Sequence, residues 1–431
     1  MAQGHDRPCP WTPTRPLPPD SVRNRALGAF DTMTVAGSSD GFIWAIGRHG
    51  AKPPVPIAKN VLGNHAHAHP SLSFAHIGPL CLRPIATPHR PIPAYREERR
   101  EEEHLARGGQ RLAPNMMRIA VAGGGGLGYL LALQLSQAAN AYNVVVLSRS
   151  ARPEFGQLDV QLHVVDYSDH DKLTFALQGV DLAISTISGT EQLSLINAAG
   201  RARVRVFVPS EFEGSLSRRP SHNDPLDRGS TQAIALLKQW ESASRMKYTV
   251  FACGIFMERF HPYGLGYLNI GYGSGVSAVG DYLLDINHAT AEYAAENSKG
   301  HTVRVCLTSV YDVVRFIVAA IDLGPRNWPH EFTMRGDRMS VRDVVGTCSR
   351  VRNVAFDHHM RQSSELQSYL AYFVQAGDGD KVAYYQRLIA TTNGRYDFSR
   401  ASLNDALEKS GQGDVQPMTL LRWLTNVWQS L

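Results

Sequence analysis

Five glycines fall within six positions, Gly123-Gly124-Gly125-Gly126-Leu127-Gly128, between the apolar run Arg118-Ala122 and a leucine-rich segment. They fit G-x-G-x-x-G. At that spacing glycines let the backbone turn tightly, bring amide N–H groups close to a pyrophosphate, and let a helix touch the preceding strand. Four glycines in a row match many patterns, so the hexamer gains its meaning from context: a strand before it, and behind it a helix whose N-terminal dipole favours an anion. The chemistry expected is binding of a dinucleotide; the plain alternative is a tight turn with no ligand.

Which dinucleotide is read at the end of the next strand. An acid about 20 residues on would hold a ribose 2′-OH, and an arginine would meet a 2′-phosphate. Asn143-Leu147 runs into Ser148-Arg149-Ser150, with no acid before Glu154. A guanidinium can pair bidentately with phosphate and stack on adenine, so NADP(H) is expected over NAD(H), unless Arg149 is only a solvated strand-end charge. Asp166, which ends the third strand in HVVDYSD, either reaches the adenine edge or helps to cap the next helix.

These residues need a sheet to hold them. From Met117 on, short β-branched runs alternate with segments of helical period, the mark of βαβ units and a parallel sheet. Strands are expected at Arg118-Ala122, Asn143-Leu147, Gln161-Val165, Leu182-Ser185, Val204-Val208 and Tyr248-Ala252. Leu127, Leu131 and Leu135 share one face of the first helix; further helices are expected at about Asp169-Gln178, Glu191-Ala199 and Ser230-Ser244. After Cys253 the sequence turns Gly- and Tyr-rich, FMERFHPYGLGYLNIGYGSG. The fold class is therefore α/β, a doubly wound parallel sheet (116–253) followed by a smaller substrate region (254–431), with some later segments returning to the first domain.

Before residue 116 the chain is different. Of 24 prolines, 16 precede Asn115, and this segment carries 14 Lys/Arg against 9 Asp/Glu, leaving 30 of each for the remainder. Residues 1–115 are expected to be a disordered extension, or a stretch upstream of a true start at Met116 or Met117. A charge-neutral folded part gives no footprint for nucleic acid. Five scattered cysteines form no CxxC or CxxH pair, as in a reducing compartment without structural zinc. The best apolar run, VVRFIVAAI, is short and broken by Arg315, so no membrane span is expected, and a cytoplasmic monomer or homodimer is. His288 and His358-His359 have no metal-ligand spacing, and no metal is expected.

With the glycine loop and Arg149, the segment RVRVFVPSEFEGS (Arg203-Ser215) resembles the NmrA-like and isoflavone-reductase-like family of atypical short-chain dehydrogenases. YTVFACGIFMERF and LTSVYDVVRFIVAAIDL add to the likeness, which runs from Met117 to about Leu431. The resemblance implies a Rossmann-type domain binding NADPH, with Thr186, Ile187 and Ser188, then Pro209, Ser210, Glu211 and Phe212, lining the nicotinamide end. The same place follows from the rule that ligands sit outside the carboxyl ends of the strands of open α/β sheets. Read plainly, Ser210 and Glu211 are a cap and a first-turn acid. The family's reductases use a lysine on the next helix, but its place here falls near Ala233-Ile234. Lys238 lies one turn further along and is the expected replacement, as an ammonium that stabilises charge or delivers a proton, unless it is merely solvated. None of the eight lysines has a tyrosine four residues before it, so a Tyr-x-x-x-Lys mechanism is absent. Phe256, Met257, Phe260, Tyr263 and Tyr267 would line the substrate side or serve as core. The sequence thus points to an NADPH-dependent reductase of an aromatic or unsaturated carbonyl compound, or to a non-catalytic NADP(H)-sensing regulator.

Overall fold

Alternating side chains build both faces of one central sheet. Along the first strand Ile119 and Val121 join one apolar cluster and Ala120 and Ala122 another; Val144 and Val146 divide in the same way from Val145 and Leu147. A sheet buried on both faces reads as the continuous apolar runs seen in the sequence. The computed structural model describes residues 116–220, 222–243, 245–271, 279–411 and 415–429, all within one compact unit. The expected N-terminal extension lies outside the described residues.

The sheet holds β1 (Arg118–Ala122), β2 (Asn143–Ser148), β3 (Gln161–Val164), β4 (Leu182–Ser185), β5 (Val206–Val208) and β6 (Lys247–Tyr248). They run parallel in the order β3-β2-β1-β4-β5-β6. This is the doubly wound order of a Rossmann-type fold, and its reversal between β1 and β4 opens a crevice at the strands' carboxyl ends. Helix α1 (Gly126–Ser136) packs on one face through Leu127, Leu131 and Leu135, the last two fully buried. Helices α2 (His170–Ala176), α3 (Thr190–Arg201) and α4 (Ser230–Ser242) flank the chain's other crossovers, and buried residues from all three join the second cluster.

The expected strand Tyr248-Ala252 is two strands. Lys247–Tyr248 ends the central sheet, whereas β7 (Val250–Ala252) pairs in parallel with the later strand Glu331–Thr333. Thr249 marks the break: its N–H still bonds to the carbonyl of Phe207, but its hydroxyl donates to the carbonyl of Pro329.

Downstream, β8 (Ile255–Phe256) pairs in parallel with Arg304–Thr308, and the latter pairs antiparallel with Asp337–Ser340. A second core of Met257, Phe260, Tyr293, Leu307, Tyr385 and Trp423, among others, holds this region together. The helix Val310–Asp322 returns to the first core, where Val313, Val314 and Ile317 meet the α1 face. It begins at Ser309, and there the fully buried Glu258 accepts hydrogen bonds from the Ser309 hydroxyl at 2.7 Å and the Val310 N–H at 2.9 Å. Burial outweighs these bonds and pushes the Glu258 carboxyl up to about 7.

Two tests follow. A Cβ on Gly128 would lie 2.0 Å from the Gly123 carbonyl oxygen, so Gly128→Ala should lower stability by about 1–3 kcal/mol in urea unfolding, and an unchanged midpoint would contradict this packing. Glu258 has a folded value of about 7 against 4.5 for an ordinary glutamate. Its contribution is fully present below pH 4.5 and is lost as the pH rises through 7, because only the unfolded chain ionises in between. Wild type should therefore lose up to about 3 kcal/mol across that window from this group. In Glu258→Gln that component should vanish, and an identical pH slope in both proteins would refute it.

Candidate functional site

A single cleft of about 1490 Å³ opens over the carboxyl ends of β1, β2, β4 and β5. It exceeds the roughly 300–1,000 Å³ of most small-molecule pockets and is large enough for a dinucleotide and a second molecule together.

At its centre lies the glycine loop. Gly123, Gly125, Gly126 and Leu127 line the cleft, whereas Gly128 sits beneath it, where its missing side chain lets α1 approach β1. Among the described residues α1 begins with no side-chain cap and no acid in its first turn. Its N-terminal amides and positive dipole end are thus left for an anion. The loop also meets another part of the chain: a Cβ on Gly126 would fall 1.6 Å from the Leu268 carbonyl oxygen, and one on Gly125 would lie 3.7 Å from that of Asn269. The turn Gly264–Leu268 and its continuation to Gly271 therefore run against the glycines.

At the end of β2, Ser148 and Arg149 both line the cleft. Arg149 is 75% exposed and forms an ion pair with Glu191 at 2.9 Å. Arg152, which the sequence reading passed over, lies closer to the loop: a Cβ on Gly124 would be 3.4 Å from its Nε and 3.1 Å from the Ser148 hydroxyl. A second arginine three residues after the first, in SRSAR, was the available signal. Asp166 does not reach this site. It is exposed beyond β3, where its carboxylate accepts from the Ser168 N–H at 2.8 Å and hydroxyl at 2.7 Å; Asp169 caps the helix instead. The Ser168 bonds also hold the Asp166 carboxyl below its ordinary value.

Thr186, Ile187 and Ser188 line the cleft after β4, as do Ser210, Glu211 and Phe212 after β5. Pro209 is buried behind them, its carbonyl accepting from the Glu211 N–H. The Ser210 N–H donates to Gln192 on α3 at 2.7 Å, which ties the two loops together. Glu211 is not a simple first-turn acid. At 6% exposure it is gripped by Arg219 (2.6 Å) and by the Ser230 hydroxyl at the start of α4. Arg219 in turn reaches Ser230 at 2.5 Å and Glu213 at 3.5 Å. Glu213 binds Arg395 at 2.8 Å and the Tyr396 hydroxyl at 3.0 Å, and Arg395 holds Asp224. Burial pushes the Glu213 carboxyl up, but Arg395 and Arg219 overcome it and hold the group below its ordinary value. Removing one member of such a buried network costs about 3–5 kcal/mol, because its partner is left charged and unpaired.

The sequence did not reveal this network, since its members are up to 183 positions apart and no local spacing marks them. A further wall holds Arg259 at 2.7 Å and Arg387 at 3.1 Å from Asp281.

Lys238 is not part of the cleft. Ser230 stands at its edge, but Lys238 is exposed eight residues further along α4, about 12 Å down the helix. The ammonium expected there stands outside the residues that line the cleft. Two of the expected substrate residues are likewise core: Met257 and Phe260 are 0% and 1% exposed within the second core of the downstream region. Phe256 and Tyr267 do line the cleft, and Tyr263 is exposed outside it. Among the described residues no group of three or more His, Cys, Asp or Glu could hold a metal ion, and no helix is long and apolar enough to cross a membrane.

No protein-family model matches the chain. It is 30% identical over 247 residues to the oxidoreductase BOA1 of Botryotinia fuckeliana, a match spanning 55% of this chain and 76% of that protein. Among solved structures it resembles leucoanthocyanidin reductase of Vitis vinifera in a binary complex with NADPH, with a TM-score of 0.53, 14% identity, and coverage of 72% of this chain and 98% of the other. An isoflavone reductase gives a TM-score of 0.52 at 18% identity, over 72% and 99% of the two chains. These likenesses agree with the strand order, the glycine loop at its reversal and the VPSEF segment on the cleft wall: the chain belongs to the NmrA-like and isoflavone-reductase-like family of atypical short-chain dehydrogenases.

Proposed function

We propose that this protein is an NADPH-dependent reductase of an aromatic or unsaturated carbonyl compound. One observation carries the reading: a single cleft joins an uncapped glycine loop, two arginines at the end of β2, and an aromatic end formed by Phe212, Phe256 and Tyr267.

The residues fit the cofactor. The amides at the N-terminus of α1 would hold the pyrophosphate, and Arg149, Arg152 and the Ser148 hydroxyl would meet the 2′-phosphate. Thr186, Ile187, Ser188, Ser210 and Phe212 would border the nicotinamide. When bound, NADPH supplies the hydride. The protein's part is position and electrostatics. Glu211, Arg219 and Ser230 brace the wall behind Ser210 and Phe212, so that this wall is already ordered when substrate arrives. The apolar rings of Phe212 and Phe256 offer a surface for an aromatic substrate and keep water from it. The NADPH bound by the leucoanthocyanidin reductase of similar fold supports the choice of cofactor.

The test is a fluorescence titration of the purified protein with NADPH and with NADH. NADPH should bind at least tenfold more tightly. Arg149→Ala combined with Arg152→Ala should remove most of that preference, each lost charge-assisted contact costing about 1.5–3 kcal/mol. Binding of NADPH with no turnover of any carbonyl compound would instead favour the sensing regulator, a role that an unreached Lys238 also suits. No binding of either nucleotide would end both readings.

A further inference from the structure

With Lys238 outside the cleft, the reduction proposed above needs another proton donor. Guanidinium groups do not serve, because arginine keeps its proton throughout the working pH range. Glu211 is locked between Arg219 and Ser230.

A pair of tyrosines in the cleft is placed to give a proton. Tyr311 stands in the first turn of the helix Val310–Asp322, lines the cleft and is 45% exposed. Tyr267 lines the same space, its ring stacked on His261 with 3.8 Å between centroids. The two hydroxyls lie within hydrogen-bonding reach of each other. Tyr311 is the more open of the two to the cleft space.

The backbone brings this hydroxyl pair to the right end of the sheet. The Glu213 carbonyl, one residue beyond Phe212, accepts from the N–H groups of Cys253 and Gly254. Phe256 then pairs with Thr308, three residues before Tyr311, and the Thr308 hydroxyl bonds back to the Cys253 carbonyl at 2.7 Å. From the other side, Tyr267 precedes Leu268, whose carbonyl oxygen touches Gly126. The pair thus lies between the glycine loop and the wall carrying Phe212. Glu258, seated on Ser309 and Val310, anchors the turn that presents Tyr311. Burial first, and the nearby Glu258 second, raise both hydroxyls above the ordinary tyrosine value, so both remain protonated at neutral pH.

We propose that Tyr311 is the catalytic acid of the reductase, recharged by Tyr267, in the role that the family's lysine would fill. This rests on the reductase reading. As hydride from NADPH forms the new C–H bond, the carbonyl π bond breaks and its electron pair moves to oxygen. The Tyr311 O–H bond breaks and its proton goes to that oxygen. The phenolate left behind takes the Tyr267 proton, and Tyr267 recovers one from solvent. NADPH, one proton and a carbonyl compound give NADP⁺ and an alcohol.

The probe is 4-(dimethylamino)cinnamaldehyde, an unsaturated aromatic aldehyde whose absorption moves to the red when its carbonyl accepts a hydrogen bond. Wild type, Tyr311→Phe and Tyr267→Phe are compared in two assays: the spectrum of the probe bound with NADP⁺, where no turnover occurs, and kcat with NADPH. Tyr311→Phe should abolish the red shift and lower kcat about 100-fold, with NADPH affinity within twofold of wild type. Tyr267→Phe should keep the shift and lower kcat by a smaller factor. If Tyr311→Phe keeps both the shift and the turnover, Tyr311 is not the acid, whereas the reductase reading stands. If wild type binds NADPH but neither shifts nor reduces the probe, the reductase reading for this substrate class falls and the acid falls with it.

Discussion

The cleft depends on how closely α1 can approach β1. With no side chain at Gly128 the helix lies against the carbonyl of Gly123, and the N-terminus of α1 is aimed across the end of the sheet at the point where strand order reverses. Thr186 completes the joint, its N–H and hydroxyl both donating to the Ala122 carbonyl at 2.8 and 2.9 Å. Were α1 to move outward, the loops after β1, β4 and β5 would no longer border one space. The position of every polar group in the cleft is referred to that contact.

A second constraint acts on the far wall. Charges that leave water must be paired, and here each buried arginine has acids to meet it: Arg219 with Glu211 and Glu213, Arg395 with Glu213 and Asp224, and Arg259 and Arg387 with Asp281. The partners come from distant parts of the chain. The network therefore stitches the segment after β5 to the helices of the C-terminal region, and it gives the cleft a rigid polar wall beside its aromatic one. Arg228, which also lines the cleft, adds to the field that keeps Glu213 ionised.

What could be read in the sequence was what is local. The short, continuous apolar runs placed five of the six central strands to within two residues, and the glycine hexamer, Ser148-Arg149 and VPSEF stand together because each occupies the end of a strand. Errors arose where tertiary partners decide. Tyr248-Ala252 is one apolar run, but Glu331–Thr333 draws its second half into a different sheet. Met257 and Phe260 have the composition of a substrate lining, yet the second core surrounds them. Lys238 was placed by its position along the helix, and the rise per residue carries it past the cleft. The arginine network and the Tyr267 and Tyr311 pair had no sequence signature at all, because hydrogen bonds across tens to hundreds of residues leave no periodicity.

The central claim is that the crevice between β1 and β4 holds NADP(H), with its phosphates on the glycine loop and at the end of β2. The most direct measurement is a crystal structure of the full chain soaked with NADP⁺. The account predicts the pyrophosphate against the amides of Gly125, Gly126 and Leu127, the 2′-phosphate between Arg149 and Arg152, and the nicotinamide bordered by Ser188 and Phe212. A nucleotide bound elsewhere, or a crevice left empty at saturating NADP⁺, would contradict it.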